Sequence, residues 1–411
     1  MSSRPKVLMI VTLDTKAVEA RFVRQVLEEQ GVDVIHMDAS IRELIDPRVE
    51  IGPEAIAAAA GQTIQQVRDL RHEGKCQAVM IQGAVKCALD AHAKHGLSGI
   101  IGVGGSMGTA LGSVVMQAFP YGLPKVMVST MASGFTRPFV GAKDIIMVNP
   151  VCDIAGLNSI TRDVFRNAAI SVAAMAKAYS PVRVEPKPLI AMTTLSTIDR
   201  CTVRVRKALE QKGYEVMVFH TLGTGGMAMD QIVRERDVAA VVDTSLVEIN
   251  DFLNNGLCSA GPDRAKASLE KGVPVIFAPG NADFMVAGPI DVAKAQFPGK
   301  RYHLHNHALT AVRTEAGELE RLAAHMGGLI EGAQGPVSFF VPLKGFSNHD
   351  SPDGYLHDPS LCPVFSDALK KAMPAGIGVT EFDCHFNDAQ FADAIVDQVL
   401  AYTRQVQGAA A

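Results

Sequence analysis

The sequence predicts an α/β protein made of two Rossmann-like domains with mostly parallel sheets and a cleft between them. Three observations predict this. The chain has 411 residues, more than the roughly 250–300 that one hydrophobic core usually organises. Strand-like apolar runs alternate with helical patterns along its length, as in parallel sheets covered by helices. The opening strand–turn–helix–strand unit also recurs: Thr12-Leu13-Asp14-Thr15 returns as Thr194-Leu195-Ser196-Thr197, and Gly31 returns as Gly213, both at an offset of 182 residues.

In the first half, Val7–Val11 reads as a strand. Lys16–Gln30 follows as a helix with Val18, Phe22 and Val26 at four-residue spacing. Gly31 ends it, and Val32–Met37 is the second strand. Further strands are expected at Ala78–Gln82, Gly99–Val103, Lys125–Ser129 and Asp144–Val148. Tyr179–Pro188, with three prolines, reads as a linker. It places the boundary between domains of residues 1–185 and 186–411. The second half continues with strands at Tyr214–Phe219, Val238–Val242, Pro274–Phe277, Val337–Val341 and Gly376–Glu381.

Composition excludes several classes. A formal charge of -4 argues against nucleic acid as a partner, since such binders carry a basic excess or stripe. The basic cluster Arg204, Arg206 and Lys207 reads as a solvated helix face. Seven scattered cysteines without CxxC spacing point to reduced thiols and a cytoplasmic setting. No secretion signal is recognised at the N-terminus. Gly96–Pro124 is uncharged but glycine-rich, and reads as strand, loop and buried helix rather than a membrane span.

Gly102-Val103-Gly104-Gly105-Ser106-Met107-Gly108-Thr109 is the strongest local signal. It follows an apolar strand and precedes an Ala/Leu/Val helix. Glycines let the backbone approach an anion, and the helix start presents unpaired N–H groups. Ser106 and Thr109 add hydroxyls. No Walker lysine follows, and the glycine spacing departs from the dinucleotide fingerprint. Thr12–Lys16 ends the first strand, with Asp14 or Thr15 suited to cap the helix and Lys16 placed to reach a ligand phosphate. Ser129-Thr130-Met131-Ala132-Ser133-Gly134 is a small polar loop after another strand, with Arg137, Lys143 and Asp144 beside it.

In the second half, Thr221–Gly226 (TLGTGG) repeats the small-residue chemistry. Cys258–Arg264 (CSAGPDR) is expected to open a helix, with Asp263 in its first turn and Arg264 free to grip a phosphate or carboxylate bidentately. His303, His305 and His307 alternate as on one face of a strand, a geometry that metals use. His349, Asp350, Asp383 and His385 are further candidate ligands. Glu248, Asp251 and Asp283 near strand ends are candidate acids or bases.

Taken together, Thr12–Lys16, Gly104–Thr109, Ser129–Gly134, Cys258–Arg264, His305–Thr314, Gly345–Gly354 and Asp383–Asp388 give the whole chain a resemblance to a known family. It resembles the ATP-binding domain of the tomato tobamovirus-resistance protein and its bacterial relatives. The resemblance implies two Rossmann-like subdomains, a nucleotide in the cleft between them, and a homodimer. It implies ATP against Thr12, Asp14, Thr15, Lys16, Gly104, Gly105, Ser106, Gly108, Thr109, Ser129, Thr130, Ala132, Ser133 and Gly134, with Gly261, Asp263 and Arg264 contributing from the second half.

Two functional readings follow. In the first, the protein binds ATP with Mg²⁺. In the second, it is an enzyme acting on a small carboxylate or oxo-acid, with His305, His307 and His385 doing acid–base or divalent-metal chemistry. Neither reading involves nucleic acid or a membrane.

Overall fold

The computed structural model describes residues 4–42, 49–180 and 187–409. The chain forms two compact units, Met1–Val184 and Glu185–Ala411. Most of the expected linker at Tyr179–Pro188 lies outside the described residues.

Unit 1 runs β1 (Lys6–Ile10), α1 (Leu13–Glu29), β2 (Asp33–Met37), α2 (Pro53–Ala59), α3 (Ile64–Asp69), α4 (Glu73–His95), β3 (Leu97–Gly104), α5 (Ser106–Gln117), β4 (Lys125–Ser129), α6 (Arg137–Val140), β5 (Ile146–Val148) and α7 (Ser159–Ala178). Its five strands pair in parallel in the order β2-β1-β3-β4-β5. Alternation along β1 sets the two cores. Val7 and Met9 pack with Val23 and Phe165 of α1 and α7, while Leu8 and Ile10 pack with Met80 and Val115 of α4 and α5.

Unit 2 runs β6 (Leu189–Thr194), a 3₁₀ turn (Ser196–Ile198), α8 (Asp199–Gln211), β7 (Glu215–His220), α9 (Gly225–Glu235), β8 (Ala240–Ser245), α10 (Val247–Asn254), α11 (Lys266–Lys271) and β9 (Val275–Gly280). It continues with β10 (Phe284–Ala287), α12 (Ile290–Gln296), β11 (Tyr302–Leu304), β12 (Thr310–Arg313), α13 (Ala316–Glu331), β13 (Val337–Pro342), α14 (Leu361–Ala372), β14 (Val379–Phe382) and α15 (Ala389–Ala409). The main sheet has the order β7-β6-β8-β9-β13-β14, the arrangement of unit 1 with one strand added. Phe277, Phe339, Leu322 and Phe365 fill one face; Ile190, Val205, Phe391 and Val399 fill the other.

Two sequence expectations are corrected. Ala78–Gln82 is no strand but part of α4, whose Cys76, Met80, Gly83, Ala84, Ala88 and Ala91 form a buried helical stripe. A short apolar run fits either element, and here the longer 3.6-residue period wins. Cys258–Arg264 does not open a helix: α11 starts at Lys266, after Ala265 at φ 72°, so Asp263 lies in the preceding turn. The small antiparallel sheet β10-β12-β11 was not anticipated.

Candidate functional site

In both units the strand order reverses beside the first strand, so that the loops leaving two neighbouring strands diverge. Open α/β sheets bind ligands in that crevice. The two units use it differently.

In unit 1 the crevice between β1 and β3 is a cavity of about 490 Å³, within the range of small-molecule sites. Thr12, Asp14, Thr15 and Lys16 line it after β1, and Gly104, Gly105, Ser106, Met107 and Gly108 line it after β3. The rest of the lining comes from Ala39, Ile41 and Arg42 after β2 and from Arg68, Arg71, His72, Glu73, Cys76, Gln77 and Met80 around the α3–α4 junction, where Gln77 Nε2 donates to the Met107 carbonyl at 2.7 Å.

Local chemistry explains how these loops are held. Neither Asp14 nor Thr15 caps α1; the N-cap position is Thr12, without a side-chain cap bond. The first helical amides are instead taken by residues following β2. Leu13 N–H donates to Asp38 Oδ1 at 3.0 Å and Asp14 N–H to Ser40 Oγ at 3.1 Å. The two leading glycines of the loop differ in their surroundings. A Cβ on Gly104 would sit 2.7 Å from Gly108 Cα, so Gly104 serves the strand–helix junction. A Cβ on Gly105 would meet only Thr130 Oγ1, at 3.9 Å, so Gly105 has room on its open side. Arg68 is fixed at the wall by donating to the carbonyls of Ile41 and Arg42, at 2.7 and 2.8 Å. Arg71 has φ 48°, a strained conformation for a residue with a side chain.

The other residues expected at this site are placed differently. Lys16 lines the cavity, but its Nζ donates to the Ile154 carbonyl at 2.8 Å. Thr109 is buried, with its hydroxyl bonded to the Gly105 carbonyl at 2.7 Å and to Ser129 Oγ at 2.6 Å. It therefore ties the loop together rather than facing a ligand. Ser129, Thr130, Ala132, Ser133 and Gly134 do not line the cavity. Lys143 and Asp144 are engaged away from it, Lys143 with the Phe119 carbonyl and Asp144 with Lys125, the residue that opens β4.

In unit 2 the corresponding features are satisfied by the protein itself. Thr221–Gly226 does cradle an anion, but the anion is Glu248, whose Oε1 accepts from the amides of Gly223 and Gly226 at 2.7 and 3.1 Å. Arg264 does grip a carboxylate bidentately, but it is the carboxylate of Asp243. Arg264 is only 2% exposed, its guanidinium taken up by protein carboxylates. Gly261 and Asp263 stay in the turn before it. Thr193, Thr221, Ser245 and Asn281 close the β6/β8 crevice with side-chain hydrogen bonds.

The histidines are also redistributed. Asn306 Oδ1 accepts from the amides of Ala308 and Leu309, forming a turn that ends β11 at Leu304. His305 and His307 are therefore exposed in that turn, off the strand face. His385 uses both ring nitrogens on the backbone, Nε2 with the Ser347 carbonyl and Nδ1 with Asn387 N–H. The structure instead pairs His303 with His349, ring centroids 4.5 Å apart. Burial, and after it the neighbouring His303 and His305, push His349 down to about 4. Of the candidate carboxylates, Glu248 holds Arg264 at 2.8 Å, and Asp251 accepts from Cys258 and Val286 N–H. Burial raises Asp251 to about 7, and burial with nearby Asp350 does the same to Asp283. Among the described residues, no group of three or more His, Cys, Asp or Glu is arranged to hold a metal, and no helix is long and apolar enough to cross a membrane.

Residues 5–181 match the N-terminal domain of the uncharacterised protein family UPF0261, and residues 187–403 match its C-terminal domain. The chain belongs to this family. A UPF0261 protein of Clostridium tetani is 33% identical over 96% of this chain and 98% of its own length. The UPF0261 protein mlr3387 of Mesorhizobium japonicum is 32% identical over 95% and 97%. The ToMV susceptible protein tm-1 of Solanum lycopersicum is 29% identical over 97% of this chain, which spans 56% of that protein. Among solved structures, the thioesterase domain from the curacin biosynthetic pathway aligns at TM-score 0.26 and 10% identity, over 52% of this chain and 91% of that domain. A score this low says nothing of fold or function.

Proposed function

We propose that this UPF0261 chain binds ATP, with Mg²⁺, in the cavity of unit 1. The observation that carries the reading is the position of that cavity. It sits where the strand order reverses, with a glycine loop, the N-terminus of α5 and three arginines in its lining. The phosphates lie on the amides of Gly105–Gly108, where the helix start favours negative charge. Arg42, Arg68 and Arg71 neutralise the remaining charge. Met80, Leu111 and Ile41 offer an apolar wall to the base. The donor set also suits Mg²⁺, a hard cation that takes one or two carboxylates besides phosphate oxygens. Asp14 and Glu73 are the carboxylates of the lining that would hold it, and Thr12 and Ser106 line the same cavity. The resemblance to an ATP-binding domain family supports the same ligand.

Isothermal titration of the full chain with ATP, ADP and a small dicarboxylate, each with and without Mg²⁺, tests the reading. Saturable binding of ATP at one site per chain, strengthened by Mg²⁺, is the expected result. Binding of the dicarboxylate but of neither nucleotide would overturn it.

A further inference from the structure

Three motif segments that ATP binding does not use, His305–Thr314, Gly345–Gly354 and Asp383–Asp388, converge in unit 2. Ser347 Oγ donates to Asp283 Oδ2 at 2.7 Å, and the Ser347 carbonyl accepts from His385 Nε2 at 3.0 Å. Asn387 Nδ2 donates to Asn348 Oδ1 at 2.8 Å. Arg313 Nη1 lies 3.2 Å from Asp350 Oδ1, both side chains buried. These contacts fix the loop carrying His349 and set that ring against His303 of β11, centroids 4.5 Å apart.

Two further rings clamp the pair. Tyr355 stacks on His303 at 4.9 Å and 18°, and Phe284 meets His349 edge-on at 5.3 Å. Both imidazoles are half-buried, so solvent reaches them. Neither ring makes a hydrogen bond among the described residues, in contrast to His385 and His357, whose rings are bonded to backbone carbonyls. Two adjacent imidazoles are thus held in place by ring contacts, with no hydrogen bond to either ring among the described residues.

We propose that His303 and His349 form a binding site for a borderline divalent metal ion such as Zn²⁺, Co²⁺ or Ni²⁺. Imidazole nitrogen suits these ions and not Mg²⁺ or Ca²⁺. A nitrogen from each ring would bind the ion at about 2.0–2.1 Å. No third protein side chain completes the set among the described residues. The remaining positions belong to water or to oxygen atoms of an incoming ligand. The site lies in unit 2 and does not depend on the ATP reading.

Titration of the full chain with ZnCl₂, and with CoCl₂ followed by visible absorption, tests this. One saturable site per chain is expected, with affinity reduced at least tenfold in His303→Gln and in His349→Gln and unchanged in His307→Gln, an exposed neighbour. Thermal unfolding confirms that each variant is folded, and a wild-type NMR titration should show the His349 ring signals moving with Zn²⁺. Absence of saturable binding in the wild type, equal affinity in His349→Gln, or an equal loss in His307→Gln would each overturn the proposal.

Discussion

Arg264 and Asp243 are joined by two parallel hydrogen bonds, Nη1 to Oδ2 at 2.7 Å and Nη2 to Oδ1 at 2.8 Å, with both side chains 1% exposed. Arg264 Nε reaches Glu248 at 2.8 Å, so one guanidinium neutralises two buried carboxylates. Removing it leaves both charges unpaired. Arg264→Ala is expected to destabilise unit 2 by about 3–5 kcal/mol, read as a lowered denaturant midpoint, with ATP affinity unchanged in the protein that remains folded. A stable variant that has lost ATP binding would return Arg264 to the ligand.

Gly104 and Gly105 should separate packing from binding. Gly105→Val adds atoms toward open space and is expected to lower ATP affinity at least tenfold with little change in melting temperature. Gly104→Val drives a side chain into the backbone of Gly108 and should destabilise the fold itself. Titration and thermal unfolding of the two variants distinguish them; the reverse pattern would assign the roles the other way.

Much of the fold is readable from the sequence, because strands buried on both faces leave dense Val, Ile and Met runs. The paired recurrence of Thr12–Thr15 and Thr194–Thr197 marks two sheets that share a strand order. The cavity is only half readable. Thr12–Lys16 and Gly104–Gly108 announce themselves as loops following strands. Arg68 and Arg71 come from a helical insertion between β2 and β3, and nothing local aims them at the glycine loop. Arg264 shows the opposite failure: its chemistry was recognised, but its partner Asp243 stands on another element. Asn306 broke the histidine alternation, a turn residue whose effect outweighs a period-two pattern.

Arg71 carries a backbone cost that glycine would not. Arg71→Gly is expected to raise stability by up to about 1 kcal/mol through relief of the left-handed conformation. It should weaken ATP binding at the same time and make binding less sensitive to salt. Denaturation and titration at two salt concentrations check both halves. Unchanged affinity would remove Arg71 from the site.

Asp251 gives unit 2 a pH dependence of known sign. Its folded value of about 7 lies above its ordinary value of 3.8. Between those limits the folded state holds a proton that the unfolded state has released, so stability from this group increases as pH falls from about 8 toward 4. Asp251→Asn cannot titrate. The difference in urea midpoint between wild type and Asp251→Asn should therefore shift in favour of the wild type between pH 8 and pH 5. A constant difference would contradict the raised value.

Hydrogen–deuterium exchange of the full chain with and without Mg·ATP reads the proposed ATP site directly. Protection is expected at Thr12–Lys16, Gly104–Leu111 and Arg68–Gln77, and should be absent in Gly105→Val. Saturating ATP that leaves these three segments unprotected, or that protects only unit 2, would contradict the assignment of the unit 1 cavity.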